Sequence, residues 1–190
     1  MVAFIYLVVA AAAPGEFELV EEVDGIRIES RPHAGSDFVD LRLSTTSPAT
    51  VAKLCDTAFG DGKIPSDERT VRSRKVLSEA ADSRVTYEQV SAPVVSDRDY
   101  SLKWTRSRVG DRCIVRFEIT DASVPVTPKF LRLTVITGEW TFSPSADGKT
   151  RVQYVSHSEP GGGLPPFLVE GPRRRTELDV VRRTVARAQR

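Results

Sequence analysis

Two histidines, His33 and His157, and two cysteines, Cys55 and Cys113, are the residues of this 190-residue chain best suited to proton transfer, metal binding or thiol chemistry. An imidazole titrates near neutral pH, so each histidine is a candidate base or ligand. His33 follows Pro32 in an expected loop, and His157 lies near a glycine-rich turn. Neither belongs to an HExxH pair or has a second ligand at metal spacing, so no metal and no cofactor are expected. The cysteines form no CxxC and read as two small buried thiols, Cys55 on a helix and Cys113 on a strand. A disulfide between them would require an oxidising compartment and a Cα separation that spacing does not reveal. There is no GxSxG and no phosphate-binding P-loop. His157 could act as a general base only if it faced an internal cavity.

The bulk properties describe the body that would position these groups. The length suits one domain with a real core, read as residues 16–190 after a distinct segment 1–15. Hydrophobic residues make up 40% and charged residues 28%, ordinary for a globular chain, and the net charge of +1 gives no reason to expect nucleic acid as a partner. Charge is uneven, however. Residues 171–190 hold seven Arg against Glu177 and Asp179, a local +5 that leaves −4 for the rest. This tail reads as a solvated helix face or as a patch for transient contact with an anionic membrane surface. Met1–Ala13 is uncharged and almost wholly apolar, but shorter than a membrane span. It reads as a cleaved export signal or as a hydrophobic first strand or packed arm. The first case implies a periplasmic or secreted protein, the second a cytoplasmic one.

Strand and helix signals alternate in an informative order. Asp24-Gly25 marks a turn into a strand over Ile26–Arg31, and Phe38–Leu43 continues the sheet. Ser47 as N-cap and Pro48 at the first helical position open a helix with Val51, Leu54, Cys55, Ala58 and Phe59 on one face, ended by Gly60-Asp61-Gly62. Strands are expected over Thr70–Leu77, Arg84–Val90, Tyr100–Arg108, Cys113–Thr120, Leu131–Phe142 and Thr150–Val155, with Gly138 as a bulge or sharp bend. A Pro160-Gly161-Gly162-Gly163 turn then leads into a C-terminal helix. Its apolar face is read as Leu164, Phe167, Leu168, Gly171, Leu178, Val181 and Val185, with a kink at Pro172. The fold class is therefore α+β, with a mostly antiparallel sheet and one long terminal helix able to enclose an apolar hollow.

Several motifs in order carry a resemblance. They are Val23-Asp24-Gly25-Ile26-Arg27-Ile28-Glu29-Ser30-Arg31, the Arg98-Asp99-Tyr100 step after a Pro-containing loop, Gly138-Glu139-Trp140, and Glu159-Pro160-Gly161-Gly162 leading to Leu164-Pro165 and Phe167-Leu168-Val169. Over roughly Glu16–Arg187 the chain resembles START domains of bacterial type (steroidogenic acute regulatory protein-related lipid transfer), within the helix-grip superfamily that includes the polyketide cyclases. The resemblance implies a curved antiparallel sheet gripping the terminal helix, around a tunnel for a lipid or other hydrophobic small molecule. It also implies an entrance flanked by the loop before Arg98-Asp99 and by the start of that helix.

Strand alternation nominates the cavity wall: Val85, Tyr87, Leu102, Trp104, Val115, Phe117, Leu133, Val135 and Tyr154, with Leu164, Phe167 and Leu168 from the helix. The entrance loop is assigned to Pro93, Val94, Val95, Arg98 and Asp99. Arg98 and Asp99, adjacent on a strand, should face opposite ways and tie that loop to the frame. Some family members bury an Arg and a carboxylate on inner strands to meet a ligand hydroxyl. Spacing from Arg98-Asp99 puts those positions at Val85 and Trp104, so no polar anchor is expected. The expected function is binding, and intermembrane transfer, of a lipid, with no catalytic residues. The alternative is a cyclase/aromatase-like enzyme using the same cavity.

Overall fold

The computed structural model describes residues 15–91 and 96–190. The expectations for Met1–Ala13 and for Pro93, Val94 and Val95 lie outside those residues. The described elements are β1 (Glu18–Val23), β2 (Ile26–Pro32), β3 (Val39–Ser47), α1 (Val51–Phe59), β4 (Val71–Ala80), β5 (Ser83–Val90), β6 (Arg98–Val109), β7 (Arg112–Ile119), β8 (Leu131–Arg132), β9 (Ile136–Pro144), β10 (Thr150–Ser158) and α2 (Pro166–Ala188). They build a large curved sheet in the order β1-β2-β3-β10-β9-β7-β6-β5-β4, antiparallel throughout, with the short β8 lying parallel against β6. Both helices pack against it, α1 mainly on β7 and β9 and α2 on β3 and α1. This is the helix-grip arrangement.

Local chemistry explains most boundaries. Asp24 and Gly25 both sit at positive φ, the mirror-image turn that matches strand twist and closes the β1–β2 hairpin. The cap of α1 is Thr50, not Ser47: Thr50 Oγ1 accepts from Lys53 N at 3.3 Å, while Ser47 still belongs to β3. β3 runs further than the alternation implied because its last residues pair with β10 up to Ser47–Thr150. The single strand expected over Leu131–Phe142 divides into β8 and β9. Leu131 and Arg132 pair outward with Arg98 and Asp99, and the chain then crosses back to begin β9 at Ile136. Gly138 marks no bulge, since its pairing with β7 and β10 is continuous. It is glycine because the Phe117 ring lies where a Cβ would go, 2.3 Å from its Cζ, with the Val155 carbonyl at 2.7 Å. Gly138→Ala is expected to cost about 2 kcal/mol of stability through overpacking, read from denaturant unfolding.

The apolar core runs through Ile28, Leu41, Leu43, Leu54, Val115, Phe142, Val152 and Val181, all fully buried. α2 contributes Leu178, Val181, Thr184 and Ala188, and continues as one helix through Pro172. Its first two turns face differently from the sequence expectation: Phe167 is 81% and Leu168 56% exposed. Several arginines of the tail are paired within the chain. Arg182 pairs with Asp24, Arg183 with Glu68 at 3.4 Å and Arg187 with Asp67 at 3.6 Å, so the tail clamps α2 to the acidic β1–β2 turn and the α1–β4 loop. Cys55 and Cys113, expected as separate thiols, are joined in a disulfide that ties α1 to β7. Their Cα atoms are 6.0 Å apart because α1 lies across β7, a proximity between distant residues that spacing along the chain does not reveal.

Candidate functional site

Between the inner face of the sheet, the α1–β4 loop and α2 lies a cavity of about 880 Å³. Pairing across the sheet decides which side chains reach it. Residues directly opposite one another in an antiparallel pair share a face. Trp104 and Leu102 face inward, so their partners on β5, Arg84 and Thr86, do too, as does Glu88 opposite Tyr100. Phe117 on β7, Trp140 on β9 and Tyr154 on β10 complete an aromatic wall, with Trp104 and Phe117 centroids 4.9 Å apart and Trp140 and Tyr154 centroids 4.4 Å apart. Leu133 and Ile136 close one end, and Val169, Val180 and Thr184 line the side formed by α2.

Five of the nominated residues therefore lie on this wall: Leu102, Trp104, Phe117, Leu133 and Tyr154. The others do not. Val85 and Tyr87 have the opposite parity, and Tyr87 donates instead to Asp99 Oδ2 at 2.8 Å on the outer face. Their apolar character suggested the interior, but the Arg132 side chain, carried on β8 beside β6, lies over the Tyr87 ring on the outer face, so an aromatic ring is buried on that side as well. Val115 is solid core, away from the cavity. Val135 precedes β9 and uses its carbonyl to accept from Glu159 N at 3.0 Å. Phe167 and Leu168 point away because the helix is rotated so that Val169 and Arg173 face in, and Leu164 precedes the helix and does not line the cavity.

The same register supplies the charged pair that the sequence reading did not find. Arg74 on β4 meets Glu88 in a two-point bond, Nε to Oε1 at 2.9 Å and Nη2 to Oε2 at 3.3 Å. Glu88 is only 2% exposed and also accepts from Thr86 Oγ1 at 3.1 Å and Tyr100 hydroxyl at 3.4 Å. Trp104 Nε1 donates to Thr86 Oγ1 at 3.3 Å, which links the aromatic wall to this polar cluster. Burial first, then the Glu88 charge, push the Tyr100 hydroxyl well above the usual phenol range, so it remains a donor. A second cluster sits on the α2 side. Glu177 accepts from Tyr154 hydroxyl at 2.9 Å and Ser156 Oγ at 3.1 Å. Burial raises the Glu177 carboxyl, with Tyr154 and the Arg173 charge pulling the other way. The cavity thus combines an apolar aromatic body with two fixed polar clusters, the pattern of a pocket that orients an amphipathic guest.

Arg98 and Asp99 do face opposite ways. Arg98 donates to the carbonyls of Ser96 and Pro160, fastening the start of β6 to the glycine-rich turn. Asp99, fully buried, takes Arg132 Nε at 2.7 Å and Nη2 at 2.9 Å. Its carboxyl is held below the ordinary range first by those Arg132 bonds, then by Tyr87, against the opposing effect of burial. At the far end, Gly161, Gly162 and Gly163 all adopt positive φ, which L side chains rarely do, and so reverse the chain from β10 into α2.

His157 borders the cavity end, but its ring is stacked on His33, centroids 3.7 Å apart, beside Asp40. Burial, then the neighbouring His33, lower its affinity for a proton below the ordinary histidine value. Its nearest carboxylate contacts are with Asp40 and Glu159, and Tyr154 bonds to Glu177 instead. No nucleophile–base pair appears among the described residues of the wall. The sequence contained a signal for the Arg74–Glu88 pair, namely the parity of β5 relative to Trp104, but only the register makes it readable.

The START domain family model matches residues 41–190. An uncharacterised protein of Pseudomonas aeruginosa is 25% identical over 173 residues, covering 88% of this chain and 84% of its own length. Among solved structures, the STAR-related lipid transfer protein of Xanthomonas axonopodis superposes with a TM-score of 0.81 at 22% identity, over 92% of this chain and 99% of that one. The Zhui aromatase/cyclase of Streptomyces sp. R1128 shares the fold more loosely, with a TM-score of 0.58 at 11% identity, over 80% of this chain and 93% of that one. With the sheet gripping α2, a cavity between them and a family match across most of its length, this chain belongs to the START domain family.

Proposed function

We propose that this chain binds one lipid-like molecule in the cavity and shields it from water during transfer between membranes. The observation that carries this reading is the hollow itself: about 880 Å³, walled by Leu102, Trp104, Phe117, Trp140 and Tyr154, with the Arg74–Glu88–Tyr100 cluster inside. The volume lies within the roughly 300–1,000 Å³ of ordinary small-molecule pockets. Removing apolar ligand surface from water supplies the driving force, at about 25 cal/mol per Å². The polar cluster gives a ligand hydroxyl or headgroup a place to be satisfied, since a buried polar group without a partner is costly.

One feature supports transfer from a membrane. Phe167 and Leu168, exposed at the start of α2, offer an apolar foot beside the glycine-rich turn. The arginine tail is less suited to that role, because several of its charges are paired internally. The Cys55–Cys113 disulfide favours an oxidising compartment and fits an export role for residues 1–13.

The test is uptake of fluorescent and natural lipids, followed by native mass spectrometry of the purified protein. Val180→Trp places an indole in the cavity from α2 and is expected to weaken uptake at least about tenfold, the equivalent of 1.4 kcal/mol. Circular dichroism should show the fold retained. Unchanged uptake in this variant, or failure of the wild type across a wide lipid panel, would overturn the reading.

The second reading, a cyclase-like enzyme, draws on the aromatase/cyclase likeness and on Tyr154 and His157 both bordering the cavity. It requires those two side chains to act together on one substrate. With Tyr154 donating to Glu177 and the His157 ring stacked on His33, the binding reading is the better supported.

A further inference from the structure

We infer that His33, Asp40 and His157 form a binding site for a single late first-row divalent metal ion, with Zn²⁺ the best fit. Three neighbouring strands bring the residues together. His33 follows the end of β2, Asp40 is the second residue of β3, and His157 is the penultimate residue of β10. Because β3 lies between β2 and β10, the sheet itself gathers their side chains. One ligand atom from each lies within 4.8 Å of the other two. Asp40 Oδ1 is 2.6 Å from His33 Nδ1 and 3.3 Å from His157 Nδ1. Ligand bonds of about 2.0–2.2 Å put the donor atoms of a tetrahedral site roughly 3.3–3.5 Å apart. The Asp40–His157 edge already has that length. The Asp40–His33 edge must open and the His33 ring must turn out of its stack on His157, because near-parallel rings do not both aim an in-plane lone pair at one ion; His33, with 37% of its side chain accessible, is the member with room to turn.

An independent observation points to a missing partner. His157 is 3% exposed, and neither of its ring nitrogens has a well-aligned hydrogen-bond partner, the Asp40 contact at 3.3 Å included. Buried polar atoms of this kind are rare in folded proteins, and each needs an explanation. A metal ion on Nδ1 supplies one. On the opposite side of the ring, Nε2 faces Glu159 Oε1 at 3.8 Å, so the carboxylate can take the remaining N–H as a supporting contact. Arg31 Nε holds Asp40 Oδ2 at 2.8 Å, which fixes the carboxylate and leaves Oδ1 for the ion. Two imidazoles and one carboxylate suit Zn²⁺, Cu²⁺ or Ni²⁺ rather than Mg²⁺ or Ca²⁺. The accessible side of His33 leaves a fourth position for water. His157 and Glu159 also border the cavity, but the metal site rests on its own side chains and stands or falls without the lipid reading.

The experiment uses untagged full-length protein, dialysed against a chelator and titrated with Co²⁺, then with Zn²⁺. One equivalent of Co²⁺ should produce visible absorption that Zn²⁺ abolishes, with no calorimetric response to Mg²⁺. His33→Ala, at a half-exposed position, should keep its melting temperature in the metal-free state yet lose the 1:1 absorption. His157→Ala should lose it as well, and Glu159→Gln should weaken Zn²⁺ binding about tenfold. Absence of Co²⁺ and Zn²⁺ binding in the wild type, or binding undiminished in His33→Ala, overturns the proposal.

Discussion

Reducing the Cys55–Cys113 disulfide is expected to lower the free energy of unfolding by about 4 kcal/mol. The bridge spans a sequence separation of 58 residues. Chain-entropy arguments place loops of that size between roughly 3 and 4.7 kcal/mol, because a cross-link of this length removes many conformations from the unfolded state. The contact also holds α1 against β7, and α1 with α2 fills the concave side of the sheet. Denaturant unfolding with and without a thiol reductant measures the effect, and the Cys55→Ser/Cys113→Ser double variant should match the reduced protein. For a chain of this length the shift in melting temperature should be roughly 8–16 °C. Coincident unfolding curves in oxidised and reduced protein would refute it.

Asp99→Asn is expected to cost about 3 kcal/mol. Asp99 is fully buried on the outer face of β6, gripped at two points by Arg132 and at a third by Tyr87. Removing one partner of a buried pair leaves the other charge without compensation, typically at a cost of about 3–5 kcal/mol. The lower end applies because the Arg132 side chain keeps 27% of its surface in contact with water. The pair also carries a pH signature. The folded carboxyl ionises more readily than the unfolded one, so the unfolded state binds more protons in the acid range. The stabilisation is therefore complete above the unfolded value of about 3.9 and fades as pH falls through the lower folded value. Asp99→Asn should flatten that acid limb of the stability profile. A variant with the wild-type profile and midpoint would show the pair to be dispensable.

Both effects concern contacts that no local pattern announces, and the same division runs through the cavity. On β6 and β7, apolar alternation was unambiguous, and Leu102, Trp104 and Phe117 lie on the wall where the pattern placed them. On β5 both faces carry buried side chains, so hydrophobicity chose Val85 and Tyr87 while pairing with β6 turns Arg84, Thr86 and Glu88 inward. In α2 the spacing of apolar residues was right from Leu178 onward. It misled over the first two turns, where Phe167 and Leu168 stand in solvent and Val169 takes the inward position. Gly138 was legible as special, but its reason, the Phe117 ring against the backbone, belongs to packing between two strands.

Local signals were enough for the class of the molecule: antiparallel strands in order, a short helix after the second expected strand, a glycine-rich reversal and a long terminal helix, together with the family they resemble. Those features rest on local physics, because side-chain periodicity, turn residues and helix caps act between near neighbours. Tertiary structure alone decided the disulfide, the inward turn of the Arg74–Glu88 pair, the burial of Asp99 and the meeting of His33, Asp40 and His157. Each of these joins segments distant along the chain, and their approach is set by strand register and by the packing of helices on the sheet.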